Sequence, residues 1–458
     1  MEIKHIGHAG FLVSTQGENI LMDPWLNPAG AYAASWFSYP SNELIDPDRL
    51  EIADYLYISH WHQDHFDTWF LRSRSEEFKK RVVVLISDFK YKKLRDDLKQ
   101  LGYATVIELN STTPFQTQHG TEIRILREEN PFFVDSAILV SSRDCTFLNE
   151  NDCKLPIEQE AWLRSLYGSI DIFTAQFSGA TFHPTCYTNY SENELKVIAA
   201  ERRKAKFQRI IDSMDRLNAK HYIPSAGPAC FLSDDLFHLN NNPNSIFPTS
   251  SDLKEYIASI RPDIADKIID LSPAETLSIK DHAIGDAPNH KFISRATVDE
   301  YLGQYKKRKS EVIAQELRMF STEEGDIITD AKKHFQHLLE KVPTLATEAN
   351  CILEVVIAGI GNFHVDTSKG VITTEKPESS LQHYTIELTP FWMRAIIKRL
   401  ISWEDFILSF RFKISRTPDI YNEAIIAFLH LETEEERSDY VAYRKALRDQ
   451  KPDRICRW

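Results

Sequence analysis

Through the first 58 residues apolar side chains recur at alternate positions or in short unbroken runs, the pattern of strands with one or both faces buried. Met1–Asp23 predicts two strands and a turn, and Ile52–Ile58 (IADYLYI) a further strand. Between them Asn27–Asp46, rich in Pro, Ala, Ser and aromatic residues, predicts an irregular segment, either overhanging a site or forming an ordinary surface loop. The period then changes. Phe66–Lys80 and Tyr91–Leu101 carry helical spacing, whereas Arg81–Asp88 (RVVVLISD) and Ala104–Glu108 have strand composition. Thr121–Ser142 holds two strands joined by residues 127–135, and further strands follow at CTFLN within Cys145–Cys153, at Ser169–Phe177 and at His221–Ala226. Glu192–Leu217 predicts a long basic amphipathic helix whose Lys and Arg run is most simply a solvated face.

Strands alternating with helices predict an α/β sandwich. The catalytic domain is expected over residues 1–245. A helical connector over 246–321 includes helices at Ser251–Ile260 and Thr297–Leu317. A smaller α+β domain over 322–458 is expected to hold a helix at Ile328–Val342 and strands at Cys351–Val365, Gly370–Thr374 and Tyr384–Leu388. A further helix is expected there at Pro390–Leu400.

At 458 residues the chain exceeds one ordinary core. Hydrophobic residues at 42% and charged residues at 26% are normal for a soluble globular protein. The net charge of -13 argues against nucleic-acid binding, which needs clustered Lys and Arg. No apolar run approaches the roughly 18–20 residues of a membrane span, and no apolar leader follows Met1. Six scattered cysteines without a CxxC pair fit a reducing cytoplasm.

Chemistry concentrates in Ser59–Asp67, where HWHQDH places three histidines and an aspartate within six positions, directly after a predicted strand. With 16 histidines in the whole chain, such density is not a chance surface cluster. Alternate positions on extended backbone point the same way, so His60 and His62 reach one metal ion. Asp64 and His65 are adjacent, splay apart and face a second ion. Imidazole and carboxylate together suit divalent transition metals.

An HxHxDH segment after a buried strand resembles the metallo-β-lactamase superfamily. His8-Ala9-Gly10 in the first strand pair and Asp23-Pro24-Trp25-Leu26 after it fit the same pattern. DPWL, ADYLYISHWHQDHFD and Phe147–Cys153 (FLNENDC) more narrowly resemble the CMP-N-acetylneuraminate hydroxylase-like branch. The resemblance implies a metallo-β-lactamase αββα sandwich with a smaller α+β C-terminal domain, the latter similar to sterol carrier protein type two-like domains. It also implies a bridging carboxylate at Asp152. The joint 127–135, where the superfamily usually carries a histidine, has none, so Glu128, Glu129 or Asp135 stands in its place. A carboxylate there hardens the site and favours iron over zinc. The final histidine expected after the last strand is His238, with His221 as the earlier alternative.

The resemblance and the candidate ligands together imply an oxygenase with a dinuclear non-haem iron site and dioxygen as co-substrate, hydroxylating or N-oxygenating a polar small metabolite. His60, His62 and Glu128 or Glu129 would hold one iron. Asp64, His65 and His238 would hold the other, with Asp152 bridging and Asp64 and Asp152 as catalytic carboxylates. A related β-hydroxylase of the chloramphenicol pathway also fits a glutamate in place of histidine. Bacterial relatives continue into a Rieske domain, whose Cys-x-His and Cys-x-x-His pairs are missing from this sequence. Either an electron donor of ferredoxin or Rieske type acts in trans, or the chain is a shortened form. The same ligands also serve a dinuclear zinc or manganese hydrolase of a phosphodiester, lactone or amide, with metal-bound hydroxide as nucleophile.

Overall fold

Two mixed β-sheets lie face to face in the N-terminal unit of this computed structural model, which describes residues 1–128, 135–240, 245–284, 297–322 and 325–450. The first sheet runs in the order Ala283–Ile284, Thr276–Lys280, Glu2–Gly7, Gly10–Thr15, Glu18–Met22, Tyr55–Tyr57, Val83–Ser87, Thr105–Leu109. Its last three pairings are parallel. The second runs His221–Ser225, Ile172–Gln176, Thr146–Asn149, Ser136–Ser141, Glu122–Arg127, Phe115–Gln116, with its first two pairings parallel.

The two-residue period sorts the side chains into layers. Ile20, Met22, Tyr55 and Tyr57 of the first sheet share one core with Ile123, Ile125, Ile138 and Val140 of the second. The intervening Leu21, Leu56, Val84 and Ile86 face the other way, onto Phe70, Leu71, Leu94 and Leu98. Leu126, Ala137, Leu139 and Leu148 on the second sheet's outer face meet Phe207, Ile210 and Met214 of the helix Glu192–Leu217. Helix, sheet, sheet and helix therefore stack as the αββα sandwich expected.

The stretch 246–321 is more than a connector. Leu253 and Ile257 of the helix Ser250–Ile260 enter the core behind the second sheet. Thr276–Lys280 pairs antiparallel with Glu2–Gly7, sending Leu277 and Ile279 into the core between the sheets. The single helix expected over Phe66–Lys80 is two, Thr68–Ser73 and Glu76–Arg81. Asp67 caps the first, and Ser75 starts the second by accepting the Phe78 N–H.

The C-terminal unit comprises Glu311–Trp458 with Thr181–Val197 and Tyr32–Ala34. Its five-stranded sheet runs Val371–Thr373, Gly361–Asp366, Cys351–Ile357, Gln382–Leu388, Lys413–Thr417. Cys351, Leu353, Val355 and Ile357 form one buried face. The strand expected to continue to Val365 instead turns back after Ile357 and re-enters at Gly361.

Candidate metal centre

Five segments bring functional side chains to one edge of the sandwich. His8 sits in the turn between the first two strands at φ 53, a left-handed backbone that a non-glycine residue adopts only when its surroundings enforce it. Gly7 before it has φ +114, and a Cβ there would meet Asn42 at 2.9 Å. Asp23 follows the third strand, and Ser59–His65 follow Tyr55–Tyr57. Asp135 immediately precedes Ser136–Ser141, and Asp152 lies just beyond Thr146–Asn149. Strand ends feeding a shared edge are the usual way an α/β fold assembles a site.

Hydrogen bonds tie these segments together. Ser136 Oγ bonds to the Ser59 carbonyl at 2.7 Å and to Tyr57 Oη at 2.9 Å, while Asn151 Nδ2 donates to the Ser136 carbonyl at 2.9 Å. Asn149 Nδ2 reaches the Ala9 carbonyl at 3.3 Å, next to His8. Asp67 accepts the backbone N–H groups of Leu26 and Asn27 at 2.8 and 2.7 Å, fixing the DPWL segment, whose Trp25 ring packs edge-on to His8.

The result is two clusters. His60, His62 and Asp135 form one, and His8, His65 and Asp152 the other; in each, one ligand atom per residue lies within 4.8 Å of the rest. In the first, His60 Nε2 is 2.9 Å from His62 Nδ1 and 3.7 Å from Asp135 Oδ1. In the second, His65 Nε2 is 3.6 Å from Asp152 Oδ1 and 3.8 Å from Asp64 Oδ2, which is also 3.0 Å from His8 Nε2. Behind both stands Asp23. It accepts from Ser59 N and Oγ at 2.8 and 2.6 Å and meets His65 Nδ1 at 2.9 Å. Because the Ser59 proton goes to Asp23, Ser59 Oγ accepts from His60 Nδ1 at 2.9 Å. One carboxylate–serine pair thus directs the Nε2 lone pairs of both His60 and His65 into the site.

The residues fit metal ions. His65 Nε2 and Asp152 Oδ1 are buried without a hydrogen-bond partner among the described residues. Such groups are costly to bury unless a cation completes them. Charges are crowded accordingly. Burial pushes Asp64 up, but His65 and His8 outweigh it and hold the carboxyl well below its usual range. Burial alone opposes charge on His65, yet Asp64, Asp152 and Asp23 hold that imidazole well above its usual value. His60 is held well below by burial, with His65 and His62 adding. Asp135 is raised chiefly by burial. Imidazole–carboxylate sets of this kind bind divalent transition metals such as iron, zinc or manganese.

Most of the expected residues converge, and Glu128 and His238 do not join them. His60, His62, Asp64, His65 and Asp152 all stand at the edge. Glu128 instead accepts the Lys154 N–H at 2.6 Å and joins neither cluster; burial, reinforced by Asp135, raises it to about 7. Glu129 lies outside the described residues. Asp135, the third alternative, is the carboxylate brought beside His60 and His62 among the described residues. His238 is exposed in the short helix Phe237–Leu239 and joins neither cluster, so it does not complete the second set. His8 stands there. The sequence alone puts His8 in a family-like segment without giving it a ligand role. The available signal is a histidine in the tight link between two strands, bracketed by Gly7 and Gly10.

Residues 2–127 match the beta-lactamase superfamily domain, and the αββα sandwich of the N-terminal unit is the metallo-β-lactamase fold. Along nearly its whole length the chain is similar to two curated proteins. It is 29% identical to a Mycobacterium tuberculosis protein named as a candidate Rieske 2Fe-2S iron-sulfur protein, over 95% of this chain and 85% of that one. It is 23% identical to cytidine monophosphate-N-acetylneuraminic acid hydroxylase of Danio rerio, over 94% of this chain and 72% of that one. Among solved structures, CmlA, a diiron β-hydroxylase from Streptomyces venezuelae, aligns with 60% of this chain and 53% of its own at 15% identity and a TM-score of 0.39. Among the described residues no helix is long and apolar enough to cross a membrane.

Proposed function

We propose that this chain is a metal-dependent oxygenase that hydroxylates or N-oxygenates a polar small metabolite at a dinuclear non-haem iron centre. The observation that carries the reading is the pair of adjoining clusters, each with two imidazoles and a carboxylate. Asp135 beside His60 and His62 makes the first set harder than three histidines would, which favours iron. Likeness to a protein named as a hydroxylase, over 94% of this chain, supports oxygen chemistry rather than hydrolysis.

His60, His62 and Asp135 would hold one ion, and His8, Asp64, His65 and Asp152 the other. Iron held there supplies electrons for dioxygen activation. The chain's own residues set the stage. Asp23 and Ser59 fix the two histidine tautomers, and Trp25 covers His8. Asp135 and Asp152, with side chains 20% and 14% exposed, mark the side open to substrate. Electrons are expected from a ferredoxin- or Rieske-type donor, a reading supported by the iron–sulfur name of the mycobacterial relative.

The test is metal content of protein expressed without added metal, followed by product formation from polar metabolites with and without dithionite, in air and under argon. Two iron ions per chain and turnover that needs both reductant and oxygen are expected. Bound zinc or manganese with turnover indifferent to both overturns the oxygenase in favour of a hydrolase.

A further inference from the structure

Beside the clusters lies a lysine, Lys206, that makes no ion pair with a carboxylate among the described residues. Lys206 and Arg209 lie three residues apart on the helix Glu192–Leu217, so they share a face. Arg209 has a dedicated partner: its Nη2 meets the fully buried Glu150 at 2.8 Å, two residues before Asp152. Lys206 does not. Among the described residues its ammonium donates to one group, the neutral side-chain oxygen of Gln176. Gln176 ends the strand Ile172–Gln176, and its N–H donates to the Asn151 carbonyl at 2.8 Å. Lys206 is therefore held against the loop that presents Asp152.

An ammonium has three donors, and one neutral acceptor leaves it under-satisfied in a partly buried position. Burial and the neighbouring Lys154 and Arg209 lower Lys206 to about 7, while Asp152 and Asp135 oppose the shift. The lysine thus feels one carboxylate from each cluster, and these are less deeply buried than Asp64. It is in ion-pair contact with neither. If Asp135 and Asp152 serve as ligands, neither is free to neutralise it, and among the described residues no other carboxylate makes an ion pair with it.

We propose that Lys206 binds an anionic group of the substrate, a carboxylate or a phosphate, and so positions the substrate over the two metal clusters. The inference rests on the dinuclear reading above and narrows its polar metabolite to an anionic one. Lysine acts here as a point charge that accepts either anion, without the planar fork by which arginine selects bidentate groups.

The test uses the full chain, as isolated and after chelation, with inorganic phosphate and acetate as probes in titration calorimetry. Wild-type protein is expected to bind at least one of them, and the preferred anion distinguishes phosphate-bearing from carboxylate-bearing substrates. Lys206→Met should weaken that binding by roughly 10- to 100-fold, the worth of a charge-assisted hydrogen bond, at unchanged metal content. Lys206→Arg should restore most of it. Gln176→Glu leaves the lysine in place but supplies an anion from within the chain, and should also weaken the probe. Equal affinity in Lys206→Met and wild type, or no binding of either anion to wild type, overturns the proposal. Metal content is read separately. A wild-type protein that takes up no metal defeats the dinuclear reading, while anion binding to the same sample still decides the role of Lys206.

Discussion

Two sets of buried polar groups, one in each unit, end in opposite ways. In the C-terminal unit Arg437 is completely buried, yet every guanidinium nitrogen has an acceptor. Nε donates to the Leu431 carbonyl at 2.8 Å, Nη1 to Leu338 at 3.2 Å and Nη2 to Phe428 at 2.9 Å. Those carbonyls belong to the final turns of Ile327–Lys341 and Glu423–His430 and to the cap after the latter, groups that a helix end leaves without partners. In the N-terminal unit His65 Nε2 and Asp152 Oδ1 are equally buried and find no such partner among the described residues. Burial that closes on itself builds scaffold. Burial left open, with several groups facing one point, is built for something that arrives later.

Breaking one group of each kind gives the largest effects. On the dinuclear reading, His65→Ala should take metal content from two ions per chain to one or none, read by elemental analysis, with the circular dichroism spectrum unchanged. Two ions retained in this variant sinks the assignment of the second cluster. Arg437→Met should do the reverse. Three helix-end carbonyls lose their donor, a loss of about 3 kcal/mol in denaturant unfolding, and metal content stays at the wild-type value. Below these comes Asp23→Asn, which touches no metal but weakens the acceptor that orients His65 and Ser59. Metal affinity is expected to fall roughly 10- to 100-fold in chelator competition. Unchanged affinity would show that Asp23 merely fills space.

The contrast also explains what the chain's order of residues reveals and what it hides. HWHQDH is legible because its ligands come from a single turn, so local geometry alone pairs His60 with His62. The helix Glu192–Leu217 is legible because helical periodicity is local too. His8 and Asp135 are different. Each joins its cluster only because two sheets close against each other and bring the first hairpin, the HWHQDH turn and the Asp135 joint to one edge. That closure depends on long-range pairings such as Glu2–Gly7 with Thr276–Lys280, which no periodicity announces. His238 attracts attention by its place after the last strand, but backbone position says nothing of which way a side chain faces. The turn between Ile357 and Gly361 escapes notice because one glycine-containing link inside a long apolar run carries little local signal.

The smallest expected effect distinguishes a closed histidine from an open one. In the C-terminal unit His334 Nε2 accepts the Trp403 Nε1–H at 3.0 Å, which requires the neutral ring. Burial lowers its pKa to about 4, and His337, Arg399 and Arg437 add to the shift. A base whose folded pKa is depressed binds fewer protons than the unfolded chain between the two values, so stability rises with pH there. Its contribution is complete above the unfolded value near 6.5 and is lost as pH falls from about 6.5 towards 4. Allowing for the ring's partial exposure, the loss by pH 5 is about 1 kcal/mol. His334→Gln keeps an acceptor for Trp403 and cannot titrate in this range, so its stability between pH 7 and 5 should fall less than wild type by that amount. The difference should be the same with metal bound or chelated, because His334 already has its partner. Identical pH dependence in variant and wild type, or a difference that appears only in the metal-free protein, would remove His334 from the closed class.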